Sequence, residues 1–262
     1  MKLSVLTNRA VFYLRDNTRL GEWGAKIWHR IMPPLPISKK FYGLKVCLNL
    51  RDSLIWLAVS PEDLERADRF TEMLAGVKGS IWDVGCNVGI FSLLAASKGF
   101  KAVAFDISPV AIGLVTSSAR KNNLKIDTVC RAFAATAYAY APPGDADTRN
   151  APLQPVSGET TMSITYLEAQ AQFGLPAFIK LDIEHQEVAM LKSTEFRDWI
   201  KANHIPMLVE IHSPDYMKLL WPDVEYIMFD ESHVLFNPTP EQKSLVATRT
   251  QVLPTPKFSG RP

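Results

Sequence analysis

What this 262-residue chain lacks narrows its class first. It has three cysteines, Cys47, Cys86 and Cys130, and none falls in a CxxC or Cys/His zinc spacing. A disulfide scaffold and a zinc finger are thereby excluded. The thiols read as free and reduced, which predicts a cytoplasmic protein. No run approaches the about 18 apolar residues that a membrane-spanning helix needs. The apolar part of "MKLSVLTNRAVFYLRDN" is broken by Asn8 and Arg9 and is too short for a signal peptide. A strong excess of one charge is also missing, and a net +2 gives no ground for a nucleic-acid partner. Internal repeats and low-complexity tracts are absent. With 47% apolar and 21% charged residues, the composition is that of a globular domain, not of a disordered or collagen-like chain.

The charge that is present is unevenly spread. Residues 1–45 hold nine Lys/Arg against Asp16 and Glu22, a net +7 that leaves −5 for the rest. The same stretch carries Phe12, Tyr13, Trp23, Trp28, Phe41 and Tyr42. A basic, aromatic segment suits an anionic membrane surface or a glycolipid. A helical cap packed on the core, its cations solvated, is the plainer expectation. The chain therefore divides into a basic extension over 1–42, ending in the proline-punctuated connector "MPPLPISKK", and one domain over 43–262.

"KVCLNL" and "SLIWLAV" predict a hairpin about Arg51-Asp52, and Ser60-Pro61 opens a helix that ends near Gly76. Strands and helices then alternate. "SIWDV" precedes a helix over 88–98, "KAVAFD" a helix opened by Ser108-Pro109, and "DTVCRAF" a polar loop over 142–160. "AFIKLDI", a helix over 186–193, "PMLVEIH", a helix near 214–220 and "VEYIMFD" follow. Near-continuous apolar strands alternating with helices imply an α/β fold, a doubly wound, mostly parallel sheet covered on both faces. Ligands of such sheets sit outside the carboxyl ends of the strands, which directs attention to the polar residues there.

The first of these is the turn in "SIWDVGCNVGIF". Gly85 and Gly89 let the backbone bend and come close to a ligand, and the helix that follows aims free N–H groups at it. A dinucleotide fingerprint would place glycine where Asn87 stands, and no Walker loop is present. Asp83 before the turn suits a positively charged group. Asp106, 23 residues on at the end of "KAVAFD", suits the two hydroxyls of a ribose. Together they ask for a nucleoside that bears an amino acid, such as S-adenosylmethionine.

"IWDVGCNVGIFSLLAASKGFKAVAFDISP", "ITYLEAQAQFGLPAFIKLDIEHQEVAMLKS" and "MLVEIH" carry a resemblance to class I S-adenosylmethionine-dependent methyltransferases of the FkbM type. The second block is similar to that family's IKxDxEGxE signature, and the likeness runs from about 43 to about 235. It implies a seven-stranded Rossmann-like sheet, S-adenosyl-L-methionine as cofactor, and O-methylation of a hydroxyl on a sugar, glycolipid or polyketide-type metabolite. Donor contacts carry over to Asp83, Gly85, Cys86, Asn87, Gly89 and Asp106, with Ala132 and Phe133 flanking adenine. The family's Gly-Ala pair is His185-Gln186 here, which sets a titratable side chain beside the acceptor pocket.

In "KLDIEHQE", Asp182 and Glu184 alternate with apolar residues and share one face, with Glu187 opening the next helix. Methyl transfer needs an acceptor oxygen held in line and relieved of its proton. Asp182 and Glu184 are expected to position the acceptor. Candidate bases are these two with Glu210, His185 and His212, and the histidines are preferred for an unperturbed pKa near about 6.5. Lys180 reads as a partner for a carboxylate. Asp182, Glu184, His185 and His212 are of metal-ligand type, but no HxxxH or DxD spacing is present and no metal is expected. "FNPTPEQ" is similar to the Asn-Pro-Pro-aromatic motif of base-amine methylating enzymes. It lacks the aromatic and lies far past the strand that should carry it, so a flipped base is disfavoured. Two other readings remain: an NAD(P)-dependent oxidoreductase, which Asn87 opposes, and a donor-binding but catalytically silent scaffold, which His185-Gln186 favours.

Overall fold

The computed structural model describes residues 30, 31, 33, 35–51, 61–140, 160–213, 216–228 and 233–250. Most of the basic extension, the segment "SLIWLAV" and the loop over 142–159 lie outside them. Among the described residues no helix is long and apolar enough to cross a membrane.

A hairpin of β1 (Pro36–Phe41) and β2 (Leu44–Asn49) comes first, turning at Tyr42-Gly43. The other hairpin expected of "KVCLNL", with "SLIWLAV" about Arg51-Asp52, lies outside the described residues. "KVCLNL" pairs with the stretch before it, so most of the connector is strand. The hairpin is tied to the body: Cys47 N–H donates to Ser118 Oγ at 2.7 Å, and Lys45 and Asn122 exchange two bonds of 2.8 Å.

Next come α1 (Pro61–Met73), β3 (Ser80–Val84), α2 (Ile90–Ser97), β4 (Lys101–Asp106), α3 (Pro109–Lys121) and β5 (Ile126–Cys130). Short pairs β6 (Phe133–Ala134) with β9 (Ile164–Thr165), and β7 (Ala139–Tyr140) with β8 (Thr161–Met162), then lead to α4 (Tyr166–Phe173). The chain continues with β10 (Pro176–Leu181), α5 (Glu187–Lys192), α6 (Thr194–Ala202) and β11 (Met207–Glu210). A 3-10 turn (Tyr216–Leu219), β12 (Tyr226–Met228), β13 (His233–Phe236) and α7 (Pro240–Thr250) complete it. Ser108 caps α3 through Ala111 N–H with Pro109 at the first helical position, and Thr165 with Glu168 closes a capping box on α4.

Seven strands form the sheet in the order β12-β13-β11-β10-β3-β4-β5, and only β13 runs against its neighbours. This is the α/β, mostly parallel, seven-stranded architecture expected. Its order reverses at β3: β4 and β5 are added on one side, and β10 and β11 on the other.

Alternate residues serve alternate faces. Trp82, Phe105, Ile179, Leu181 and Val209 pack against α5 and α6 through Met190 and Phe196. Ile81, Phe178 and Leu208 pack against Phe70 of α1 and Leu93 of α2. By the same parity Asp83, Lys180, Glu210 and His233 fall on the α2 side, where they are the polar interruptions of an apolar face.

Trp82 anchors the first face, with ring centroids 5.6 Å from Phe105 and 5.9 Å from Phe133, and it stacks on Trp199 at 6.2 Å. Its Nε1 is buried with no hydrogen-bond acceptor. Trp82→Ala is therefore expected to cost about 3–5 kcal/mol in urea unfolding. Trp82→Phe removes an unsatisfied N–H along with some packing and should cost less than about 1.5 kcal/mol. Equal costs would show that the indole N–H is satisfied.

Candidate functional site

The turn after β3 is held by its own sheet. Gly85 and Cys86 N–H both donate to the Phe105 carbonyl, at 2.9 and 3.0 Å. Gly85 and Gly89 adopt φ of 77° and 79°, left-handed values that suit glycine. What approaches them, however, is protein. A Cβ on Gly85 would stand 1.6 Å from the Asp182 carbonyl oxygen, and one on Gly89 would stand 2.6 Å from a Val115 methyl. The space that each absent Cβ leaves is thus taken by protein, the end of β10 at Gly85 and α3 at Gly89. Asp182 N–H also donates to the Val84 carbonyl at 2.9 Å, so β3 and β10 are joined to their tips.

Asp83 is wholly buried, and its Oδ2 accepts from Ser92 N–H at 2.9 Å and from Ser92 Oγ at 2.6 Å. Helix α2 has no side-chain cap of its own, so this carboxylate from the preceding strand serves its first turn. Burial pushes the Asp83 carboxyl up, while Lys180 and Ser92 pull it down. The cation beside Asp83 is therefore the chain's own Lys180, its register partner on β10, rather than a ligand's charge. Cys86 is buried against Ala104 and Val115, and its thiol is pushed well up, chiefly by desolvation.

Asp106 is half-buried at the end of β4. Its Oδ2 accepts from Asn87 N–H at 2.8 Å and its Oδ1 from Ser108 N–H at 2.9 Å. Burial raises its carboxyl to about 6 against the pull of these two bonds. Asn87 is exposed at the rim of the turn. Ala132 and Phe133 are both buried, which changes the expectation for adenine. Ala132 N–H donates to the Tyr140 hydroxyl at 2.9 Å, and the Phe133 ring sits edge-on to Trp82 and Phe105 within the core. The chain leaves β5 at Arg131 to start β6, and that turn points Phe133 inward.

Across β3 lies the acidic block. Lys180, 3% exposed, donates to Asp182 Oδ2 at 2.7 Å as expected for a carboxylate partner. His212 sits at the centre of four carboxylates. Its Nε2 is 3.7 Å from Glu184, 3.8 Å from Glu210 and 4.0 Å from Asp182, and its Nδ1 is 3.4 Å from Glu187. Glu187, wholly buried, also accepts from the His212 backbone N–H at 2.7 Å. These carboxylates, Glu187 foremost, push His212 up to about 9 against the opposing effect of burial. That raised proton affinity departs from the unperturbed value of about 6.5 that makes a histidine a ready base at neutral pH. His185 is exposed, its ring 5.8 Å from that of His212. It lies at φ 72° and follows Glu184 at φ 40°, two left-handed residues in succession. His185 is thus a position whose backbone favours glycine.

Two partners were not singled out from the sequence. Glu187 was noted only as a helix start, although it organises His212. His233, 3.2 Å from Glu210, lies on β13, a strand whose signal is the apolar run "HVLF" before Asn237-Pro238.

No protein-family model matches the chain, and no curated protein sequence matches it either. Among solved structures, a putative S-adenosylmethionine-dependent methyltransferase from Streptococcus mutans aligns at 13% identity with TM-score 0.43, over 78% of this chain and 55% of its own. A Pyrococcus abyssi tRNA (uracil-54, C5)-methyltransferase in complex with S-adenosyl-L-homocysteine aligns at 15% identity with TM-score 0.42. That match covers 77% of this chain and 43% of the other, so this chain spans less than half the length of the tRNA enzyme. A methyltransferase from Agrobacterium tumefaciens gives 13% identity and TM-score 0.42, over 72% and 57% of the two chains. Similarities of this size leave the fold resting on the strand order above, and the chemistry on the residues themselves.

The backbone geometry yields two opposite expectations. Gly85→Ala drives a Cβ into a carbonyl oxygen that cannot retreat without parting β3 from β10, and should cost more than about 3 kcal/mol in urea unfolding. His185→Gly relieves a left-handed side-chain residue and should add about 1 kcal/mol.

Proposed function

We propose that the protein is an S-adenosylmethionine-dependent methyltransferase acting on a hydroxyl of a sugar, glycolipid or polyketide-type acceptor. One observation carries the reading. The turn over 84–89 and the acids over 182–187 face each other across the ends of β3 and β10, where the strand order reverses and where open α/β sheets take their ligands.

The residues present fit the donor in part. Asp106 is a carboxylate fixed on two backbone N–H groups, with lone pairs left for two ribose hydroxyls. Asn87 offers a polar rim and leaves no glycine for a pyrophosphate. Asp83 fixes the first turn of α2 from beneath. When bound, the donor supplies a methyl group on a sulfonium, a carbon open to displacement by an oxygen.

The chain's own part lies on the acceptor side. Asp182 and Glu184 hold the acceptor hydroxyl in line, and the proton it sheds passes to the carboxylate cluster. Lys180 keeps Asp182 in one orientation. The crowd of carboxylates repels a phosphate backbone, which favours a small or glycan acceptor over nucleic acid. The basic stretch over 1–45 supports a glycolipid acceptor at an anionic surface.

Calorimetry with S-adenosylhomocysteine and with NAD separates the candidate classes. Binding of the former alone is expected, and binding of NAD alone would overturn the proposal in favour of an oxidoreductase. A labelled-methyl screen over glycans and lipids then separates an enzyme, which forms product, from a silent scaffold. Asp106→Asn removes a charged acceptor and should weaken S-adenosylhomocysteine about 10–100-fold. Because Asp106 accepts as the carboxylate, wild-type affinity should fall as pH drops through about 6 and stay level above it. The Asn variant should show no such step.

A further inference from the structure

We propose that Asp182, Glu210 and His212 form a binding site for a divalent cation of the Mg2+/Mn2+ class. Their ligand atoms lie within 4.8 Å of one another, although they come from the end of β10, the end of β11 and the segment after β11. No short sequence spacing records such a set, which is why the sequence shows no metal motif.

Two independent features point to an ion. The first is the spacing about His212 Nε2. Asp182 Oδ1, Glu184 Oε2 and Glu210 Oε1 stand 3.7–4.0 Å away, beyond the about 3.2 Å limit of a hydrogen bond. Ligands sharing one ion at about 2.1 Å lie about 3.0–4.2 Å apart, and these distances fall in that range. The second is that each ligand is anchored on its other side by a buried partner. Asp182 uses Oδ2 for Lys180, Glu210 uses Oε2 for His233, and Glu187 Oε1 holds His212 by its backbone N–H at 2.7 Å. Lys180, His233 and Glu187 are 3%, 5% and 0% exposed. A surface ion pair has no such backing, whereas a metal site does, because outer partners fix which atom each ligand presents. Glu187 Oε2 and His212 Nδ1 are both buried with no hydrogen-bond partner, so the layer behind the ligands is held at a cost.

Oxygen with one imidazole and no sulfur suits hard to borderline ions, and an ion bound there takes the place of a proton on His212 Nε2. A cation there would bind the acceptor oxygen and ease loss of its proton. That role rests on the methyltransferase reading, whereas binding of the ion does not.

The test titrates Mn2+ into the full chain after dialysis against a chelator, following the free-ion electron paramagnetic resonance signal, with Mg2+ as competitor. One Mn2+ per chain is expected. Affinity should fall at least tenfold in Asp182→Asn and Glu210→Gln, and about tenfold in Glu187→Gln. The control Glu225→Gln, an exposed acid paired with Lys243, should leave it unchanged. Circular dichroism verifies that each variant is folded. Absence of stoichiometric Mn2+ in the wild type would overturn the site, as would binding that survives all three substitutions. S-adenosylhomocysteine affinity is measured on the same samples. Its absence beside intact, variant-sensitive Mn2+ binding would sink the methyltransferase reading and leave the metal site standing.

Discussion

The structure depends on one contact, the Asp182 carbonyl lying against the bare Cα of Gly85. Parallel strands need not meet at their tips, but here β3 and β10 do, and a single methyl at Gly85 would stand 1.6 Å from that oxygen. The closeness follows from the shared register of the two strands and from the Asp182-to-Val84 bond that extends it. Everything at the candidate site is hung from these two ends. The turn over 84–89 leads into α2 and bonds Asp106, while the acids over 182–187 lead into α5 and surround His212. If the tips parted by the width of a side chain, the two halves would no longer share a cleft.

Beneath that cleft runs a line of buried charges on the face covered by α2. Asp83 secures the helix, Lys180 lies beside it on β10, and Lys180 in turn holds Asp182. Burying such groups is costly unless each meets an opposite charge or a hydrogen bond, and here each does. The ammonium also lies 4.9 Å over the Phe91 ring, so α2 covers it with a π-face rather than with water. Rigidity is the functional consequence. A carboxylate fixed by a buried lysine presents one chosen oxygen outward, which both an acceptor hydroxyl and a metal ion require. Crowding governs the other end of the line, where four carboxylates about one imidazole stabilise positive charge there.

Local pattern carried most of the element order. The strand "KAVAFD" and the helix opened by Ser108-Pro109 stand where apolar runs and a cap place them, because those signals are satisfied within a few residues. Partner choice was less legible. β2 pairs with β1 across Tyr42-Gly43, a two-residue turn whose left-handed φ values of 49° and 77° suit its glycine. β13 is hard to read from sequence because it inserts antiparallel between β12 and β11, outside the strand–helix rhythm of the other strands. Gly85, Gly89 and Asp83 stand out in the sequence, while the constraints on them from Asp182, Val115 and Ser92 come from elements that only the fold brings together.

By itself the sequence determined the fold class, the turn after β3 and the pairing of acids with strand ends, since all of these follow from periodicity and from residues that bend or cap a chain. Only the tertiary structure decided what those residues face. His212, Glu187, Glu210 and His233 span several elements, and their distances depend on the order in which strands join the sheet. Charge on His212 is a property of that assembly, because carboxylates set its proton affinity from across space and not from along the chain.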